Sequence, residues 1–148
     1  EYEQMMPGEH YELEIGVTRI IGTTEEGGIL AVTCLGDDSD IALLSAERKV
    51  STRAYKFTET TLGITYTLYW VHVTCVWYAD GIDGYIESFD GTYTVESPFY
   101  SCAWNKDEKV EKNSRVKWLD VTHGGVTKSI LFGAFYYPDA ESLSLQVM

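Results

Sequence analysis

The chain of 148 residues has the length of a single domain and is long enough to bury a sizeable hydrophobic core. Its formal net charge is −12, from 23 acidic against 11 basic residues, and such a surface repels phosphate backbones and anionic lipids. Nucleic acid is therefore disfavoured as a partner, and because every apolar stretch is only strand-length, membrane insertion is not expected.

The first predicted elements are an arm and a strand. Residues 1–9 show no periodic pattern and are expected to form a loose arm. Residues 10–18 alternate between apolar and polar or small side chains, which predicts a half-buried strand with a charged outer face. The apolar positions of this alternation are Tyr11, Leu13, Ile15 and Val17.

A buried strand and a short helix are predicted next. Residues 29–35 (ILAVTCL) carry little polarity and lie between predicted loops at 22–28 and 36–40, which is typical of a buried strand. Residues 41–50 (IALLSAERKV) are the single helix candidate, one or two turns long and capped by Asp40. An irregular strand is the alternative for this segment.

The strongest pattern in the chain is the run from residue 64 to residue 79, ITYTLYWVHVTCVWYA. It contains no charged residue, no Gly and no Pro, and nearly every side chain is β-branched or aromatic. Because such a strand would aggregate with open faces, it is predicted to lie near the centre of an all-β domain with both faces covered. A strand over 50–59 precedes it, and the segment 60–63 (TTLG) is predicted to turn the chain.

The second half of the chain predicts a series of hairpins. The pairs Asp80-Gly81 and Asp83-Gly84 bracket a tight connection, and Asp90-Gly91 is the clearest two-residue hairpin signal. The charged residues 105–113 (NKDEKVEKN) are predicted to form an exposed loop. Further strands are predicted over 99–104, 115–121, 126–137 and 142–148, with a turn at 122–125 and a bulge at Gly133.

The number of strands indicates the architecture. Nine or ten strands at this spacing predict one all-β domain spanning residues 1–148. An antiparallel β-sandwich is the expected fold, and a β-barrel is the alternative. No internal repeat or linker divides the chain.

The sequence carries no recognisable catalytic motif. None of the three histidines, His10, His72 and His123, lies in a pattern that pairs a base with a nucleophile. No G-x-S-x-G elbow or phosphate-binding loop occurs, and no cysteine has a catalytic flank. The protein is therefore expected not to be an enzyme and to need no cofactor.

Three neighbouring carboxylates form the best metal hypothesis. Asp37, Asp38 and Asp40 could together hold a hard cation such as Ca²⁺. The segment lacks the twelve-residue pattern of an EF-hand and its closing Glu, so an acidic surface loop is the preferred interpretation.

Aromatic side chains are the best candidates for a binding surface. In the long run, Tyr69 and Trp77 share one face while Trp70 and Tyr78 share the other, so that one face is core and the other can present a Tyr/Trp surface. The predicted ligand-binding residues are Tyr69, Trp77, Tyr93, Tyr100, Trp104, Trp118, Asp37 and Asp38.

The three cysteines, Cys34, Cys75 and Cys102, allow one disulfide and leave one thiol. The separation of Cys34 and Cys102 suits an inter-sheet disulfide as in immunoglobulin-type domains, although the Trp expected shortly after the first Cys is missing. The remaining thiol leaves open a disulfide-linked dimer as well as a non-covalent one.

Three short segments resemble plant self-incompatibility S1-type secreted proteins. They are LAVTCLGDDSDI (30–41), TCVW (74–77) and SCAW (101–104). Additional cysteines of that family are missing here, and the C-terminal third is longer and lacks Cys. The resemblance implies a small secreted β-sandwich.

Together these features favour a secreted, non-catalytic binding protein. The chain begins at Glu1 without an initiator Met, which is expected for a mature extracellular form. The expected partner is a protein, such as a receptor or cytokine in the setting of an effector or immune modulator, with a basic surface that complements the acidic chain. The alternatives are a β-barrel carrier of a small apolar ligand and a carbohydrate-binding module.

Overall fold

The computed structural model describes residues 2–36, 42–43, 47–80, 83–137 and 140–148, and every regular element among them is a β-strand. Within these residues there is no helix that could span a membrane. The strands are β1 (Thr18–Thr23), β2 (Ile29–Leu35), β3 (Ala42–Leu43), β4 (Arg48–Thr61), β5 (Ile64–Ala79), β6 (Gly84–Val95), β7 (Tyr100–Val110), β8 (Ser114–His123), β9 (Val126–Tyr137) and β10 (Ala140–Val147).

The strands form two antiparallel sheets. The large sheet has the order β1-β2-β4-β5-β6, with the two-residue β3 paired beside β4, and the small sheet has the order β10-β9-β8-β7. The sheets do not close into a barrel. The predicted all-β sandwich is confirmed, and the chain does not adopt the alternative barrel.

Strand β5 lies inside the large sheet, between β4 and β6. Its inward side chains are almost completely buried and carry no charge: Tyr69, Val71, Val73, Cys75 and Trp77. Its outward side chains, by contrast, are half-buried or, like His72, exposed. The strand is therefore covered on one face rather than on both, and the alternation with polar residues keeps the open face soluble.

The hydrophobic core lies between the two inner faces and is rich in aromatic rings. Tyr55 of β4 meets Phe132 of β9 with ring centroids 5.4 Å apart, and Trp77 of β5 meets Tyr136 of β9 at 6.2 Å. Burial of one such side chain stabilises a fold by about 1.5–3 kcal/mol, so these contacts hold the sheets together.

The N-terminal arm is not loose along residues 2–9. The amide of Met5 donates to the carbonyl of Ile20 at 2.7 Å, and the amide of Gly8 donates to the carbonyl of Val147 at 2.9 Å. The Met5 side chain is completely buried in the core. The arm thus connects the edges of both sheets, β1 and β10, and covers backbone groups that an edge strand otherwise leaves open.

The strand predicted over residues 10–18 is mostly absent. Tyr11 forms a single bridge with Leu145, and a continuous strand begins only at Thr18. The chain turns at Gly16, whose φ of +88° is accessible to glycine without strain. The alternation of apolar and polar residues still predicts burial correctly, since Leu13 is 7% exposed and faces the core.

The prediction of a hairpin turn at Asp90-Gly91 is wrong, because both residues lie in the middle of β6. Asp90 pairs with Thr74 and Gly91 pairs with Val73 of β5. A β-carbon on Gly91 would lie 2.6 Å from the indole of Trp104. The glycine therefore makes room for a tryptophan and does not form a turn. The connection between β5 and β6 lies near residue 80, as predicted.

The predicted loop over 105–113 is also largely strand. Residues 105–110 belong to β7 and only 111–113 lie between β7 and β8. The pairing of β7 with β8 shifts between Trp104 and Glu108, so a bulge interrupts this edge strand. All residues from 105 to 113 are exposed, as the charge pattern indicated.

Two smaller predictions are corrected by the strand pairing. Residues 42–43 and 48–50 are strand and not helix, so the irregular-strand alternative is confirmed where that segment is described. Gly133 forms no bulge, since β9 pairs with both neighbours through this residue without a shift. Its missing side chain instead leaves room for the ring of Phe135 and the hydroxyl of Ser144.

Two tight turns were predicted correctly. Leu62 and Gly63 connect β4 to β5 with φ of +52° and +77°, and Gly124 and Gly125 connect β8 to β9 with φ of +60° and +77°. Two positive φ values are what a type I′ hairpin turn requires. Glycine and asparagine adopt this conformation with little strain, whereas leucine adopts it at a cost in backbone strain.

We expect Met5→Ala to lower the free energy of unfolding by about 2–4 kcal/mol, because it leaves a cavity where the arm enters the core. The matched control is Met6→Ala, whose side chain is 55% exposed and whose effect should stay within about 0.5 kcal/mol. Urea unfolding measures both. Equal effects of the two substitutions would show that the arm is not anchored.

We expect Leu62→Asn to raise the free energy of unfolding by about 0.5–1 kcal/mol, because asparagine accepts a positive φ and the leucine side chain is 97% exposed. Leu62→Ala serves as control, since it removes the same side chain without relieving the backbone. If the free energy of unfolding of Leu62→Asn is no higher than that of Leu62→Ala, the backbone at residue 62 is not strained.

Candidate functional site

Two of the predicted ligand-binding aromatics lie in the core. Tyr69 is 4% exposed and stacks on Phe57 with centroids 4.5 Å apart. Trp77 is 1% exposed, and its indole N–H donates to the hydroxyl of Ser51 at 2.9 Å. Both side chains hold the two sheets together and are not accessible to a partner in this conformation.

Two other predicted residues, Tyr93 and Trp104, come together where β6 passes β7, and Tyr100 contacts a different ring. The rings of Tyr93 and Trp104 have centroids 6.3 Å apart, and Tyr100 lies 6.2 Å from Tyr69. Trp118 is separate, since it pairs with Leu131 on the outer face of the small sheet. The predicted aromatics therefore do not form one continuous surface.

The predicted calcium site lies outside the described residues, because Asp37, Asp38 and Asp40 all fall in the segment 37–40. Among the residues that are described, no group of three or more His, Cys, Asp or Glu side chains could hold a metal ion. The calcium hypothesis stays a prediction.

The three cysteines are free thiols, so the predicted disulfide is not formed. Cys34 on β2 and Cys75 on β5 are separated by β4, and Cys102 is on β7 of the other sheet. Burial raises the pKa of Cys34 and of Cys102 to about 11, and it raises the pKa of Cys75 further. Thiols held neutral in this way are poor nucleophiles at neutral pH.

The outer face of the large sheet carries aromatics that the predicted set did not include. Trp70 lies 5.6 Å from the ammonium of Lys56, and Tyr78 lies 5.2 Å from the guanidinium of Arg48. The rings of Tyr78 and Tyr85 are 4.8 Å apart. The composition of β5 was the sequence signal for this outer face. The alternating set of side chains that contains Trp70 and Tyr78 also contains His72 and Thr74.

Large apolar side chains are exposed at one end of the sandwich. This end is formed by the turn between β4 and β5, the connection between β6 and β7, and the turn between β8 and β9. The residues, which we name the apolar tip, are Leu62 (97% exposed), Phe99 (75%), Val126 (57%), Ile64 (54%) and Tyr66 (53%). Sequence analysis missed them, because a turn leucine and strand-end residues look ordinary in a β-sheet protein.

A chain of contacts connects the parts of the apolar tip. Tyr66 pairs with Glu59 across the β4–β5 hairpin, and Tyr100 donates a hydrogen bond to the Glu59 carboxylate. His123 stacks on Tyr100 with centroids 4.2 Å apart, and its Nδ1 lies 3.0 Å from the carbonyl oxygen of Phe99. The exposed residues of both sheets are therefore held in one place.

Several carboxylates lie close to the apolar tip, and Lys128 follows Val126 by two residues. The pKa of Tyr100 is raised, first by burial and then by the carboxylates of Glu59 and Glu26. Glu25 and Glu96 lie in the adjoining turn and connection, and no Lys or Arg occurs between Phe57 and Asn105. An apolar surface with acidic surroundings suits a partner that offers apolar and basic groups.

The histidines of the described structure are held by rings and backbone. His10 meets Phe135 edge-on at 5.9 Å, and His72 lies parallel to Trp70 at 6.2 Å. The absence of enzymatic activity stays a prediction.

Comparisons with known proteins identify no relative of this chain. No protein-family model, curated protein or solved structure matches it.

We expect the free energy of unfolding to fall as the pH rises from about 9 to about 11. Burial raises the pKa of the Cys34 thiol from 9.0 to about 11 in the folded state, so between these pH values ionisation favours the unfolded state. Below pH 8 the thiol is neutral in both states and has no effect. Urea unfolding of Cys34→Ala should show a shallower decline over this range, and an identical decline in both proteins would contradict the assignment.

Proposed function

We propose that this protein is a non-catalytic binding module that recognises a protein partner through the apolar tip. The observation that carries the proposal is the exposure of five large apolar side chains at one end of the sandwich. Single exposed apolar residues are ordinary on a protein surface, whereas a cluster of them marks an interaction site.

The turn at Leu62 supports the same conclusion. A leucine with φ of +52° and a nearly free side chain lowers stability where asparagine would raise it. Residues that oppose the local rules of folding are expected at functional positions. We therefore assign Leu62 a contact with the partner.

Electrostatics indicates what kind of partner fits. With Glu25, Glu26, Glu59 and Glu96 near the apolar tip, a basic protein surface is attracted over about a Debye length, which is ~10 Å at 0.1 M salt. The same charges repel nucleic acid and anionic membranes. Binding should therefore weaken as salt increases. An extracellular location of this interaction stays a prediction.

A carbohydrate-binding function is the second candidate, and the outer face of the large sheet favours it. Trp70, Tyr78 and Tyr85 lie half-buried on the outer face of the large sheet, where aromatic rings can stack on sugars. Two of the rings are already occupied by Lys56 and Arg48, which makes this face less available than the apolar tip.

The test is a screen of the purified protein against arrays of extracellular receptors and cytokines, with a glycan array alongside. We expect a protein partner whose affinity falls at least tenfold with Phe99→Ser and with Leu62→Asn, as for truncated hot spots. Because Leu62→Asn should stabilise the fold, its loss of binding cannot be attributed to unfolding.

The matched control is Tyr137→Ser, because Tyr137 is 58% exposed but lies at the other end of β9 from Val126. That variant should bind as the unmodified protein does. A glycan ligand that is lost with Trp70→Ala and unaffected by Leu62→Asn would contradict the proposal and place the site on the outer face of the large sheet.

A further inference from the structure

The C-terminal half of strand β6, residues 91–95, has an open backbone edge. Strand β6 is the last strand of the large sheet, so it has a neighbouring strand only on its β5 side. In an antiparallel ladder, alternate residues direct their N–H and C=O groups away from that neighbour. No described residue outside β5 forms a backbone hydrogen bond with residues 91–95. These outward groups are therefore available to a further strand.

The other edge segments discussed above are protected. The N-terminal arm covers β1 and β10, and a bulge together with charged side chains interrupts β7. The N-terminal half of β6 is covered too, because the amide of Ile86 donates to the carbonyl of Lys112 at 2.9 Å. Arg115 also donates to the carbonyls of Ile86 and Glu87. Since proteins normally protect their edge strands in such ways, an edge left open marks a site for pairing.

The composition of residues 91–95 suits a strand pair. The sequence GTYTV contains no charged residue and no Pro, and four of its five residues are β-branched or aromatic. It pairs with β5 without a register shift, so no bulge disturbs the edge here. Thr92 and Thr94 are exposed, and Tyr93 is 38% exposed.

An added strand would meet an aromatic surface on its inner side. Tyr93 pairs with Val71, whose side chain lies in the core, so Tyr93 faces the small sheet. Its ring centroid lies 6.3 Å from that of Trp104 on β7, and the missing side chain of Gly91 makes room for the same indole. Every second side chain of an added strand can reach these rings, and apolar side chains fit there.

Charge indicates which strand fits. Asp90 and Glu96 stand at the two ends of the open edge, and neither forms an ion pair with a described residue. Opposite charges across a strand pair stabilise it, whereas like charges destabilise it. A strand with Lys or Arg at both ends is therefore favoured. A second copy of this chain, paired symmetrically about Tyr93, would instead place Asp90 against Glu96.

We propose that the protein partner adds an extended strand to β6 at residues 91–95. This strand carries apolar side chains at alternate positions, facing Tyr93 and Trp104, and basic residues at both ends. Main-chain hydrogen bonds supply affinity in such strand addition, and the alternate side chains supply specificity. The inference rests on the proposed protein-binding function, since β6 continues through residues 96–98 into Phe99 of the apolar tip, and one partner can contact both surfaces.

The test uses an array of heptapeptides with lysine at both ends and central residues drawn from Val, Ile, Thr, Tyr and Phe. The labelled full chain is applied at constant ionic strength, and the affinity of each binding peptide is then measured by fluorescence anisotropy. We expect lysine-ended peptides to bind. The same central residues between two glutamates should bind at least tenfold more weakly.

N-methylation of the peptide tests whether its backbone is paired. Only alternate amides of an added strand face β6, so methylation of one alternate set should abolish binding. Methylation of the other set should leave the affinity within about threefold, because those amides face away. A peptide held by its side chains alone would not distinguish the two sets.

Two substitutions block the edge itself. Tyr93→Lys introduces an inward-pointing charge and Thr94→Lys an exposed one, and lysines on an edge strand oppose pairing. Each should reduce affinity at least tenfold. The matched control is His72→Lys, which changes the net charge equally on the exposed face of β5 and should leave affinity unchanged. Because Thr94 is exposed, its variant tests the site even where Tyr93→Lys fails to fold.

Four results would overturn the inference. These are no lysine-ended peptide with a Kd below about 1 mM, equal effects of the two methylated sets, unchanged affinity in the Thr94→Lys protein, or a dimer of the full chain in ultracentrifugation that Thr94→Lys dissociates. The proposed function fails separately. A protein partner lost with Thr94→Lys but unaffected by Leu62→Asn and Phe99→Ser would support the strand site and remove the apolar tip.

Discussion

The structure depends on the burial of one face of β5 against the small sheet. Tyr69, Val71, Val73, Cys75 and Trp77 form a continuous uncharged surface, and Phe132, Leu119 and Leu145 cover it completely enough to be fully buried themselves. Because a mean sheet separation of ~10 Å requires large side chains on both sides, buried aromatic residues such as Tyr55, Phe57 and Phe132 lie here. Two aromatics predicted to bind a ligand, Tyr69 and Trp77, belong to this core for that reason.

A two-sheet sandwich has four edges, and the chain treats them differently. The N-terminal arm covers β1 and β10, with Met5 as its anchor in the core. Strand β7 is protected by its bulge and its charged side chains, which oppose pairing with another chain. The edge of β6 is held in part by Arg115, through the carbonyls of Ile86 and Glu87.

The exposed end of the sandwich is where folding and the proposed binding make opposite demands. The β4–β5 hairpin extends past the last residue of β6, so Ile64 and Tyr66 lie beyond its pairing with Val95 and remain open. At its tip a leucine occupies a left-handed conformation that asparagine or glycine would occupy with less strain. Because this leucine opposes the local preference of the turn, we propose that it contacts a partner.

Local pattern by itself determined the strand-rich class, the alternation of β5, the Gly-containing turns at 62–63 and 124–125, and the exposure of 105–113. Tertiary structure decided what those patterns could not. Asp90-Gly91 is a local turn signal, but both residues lie in strand β6 because they pair with β5. The missing side chain of Gly91 leaves room for the indole of Trp104. Tertiary packing also decided which of the two alternating sets of β5 side chains faces inward, since one set had to meet Phe132 across the core. The apolar tip brings together residues 62, 64, 66, 99 and 126, and such long-range proximity comes from sheet packing and not from local periodicity.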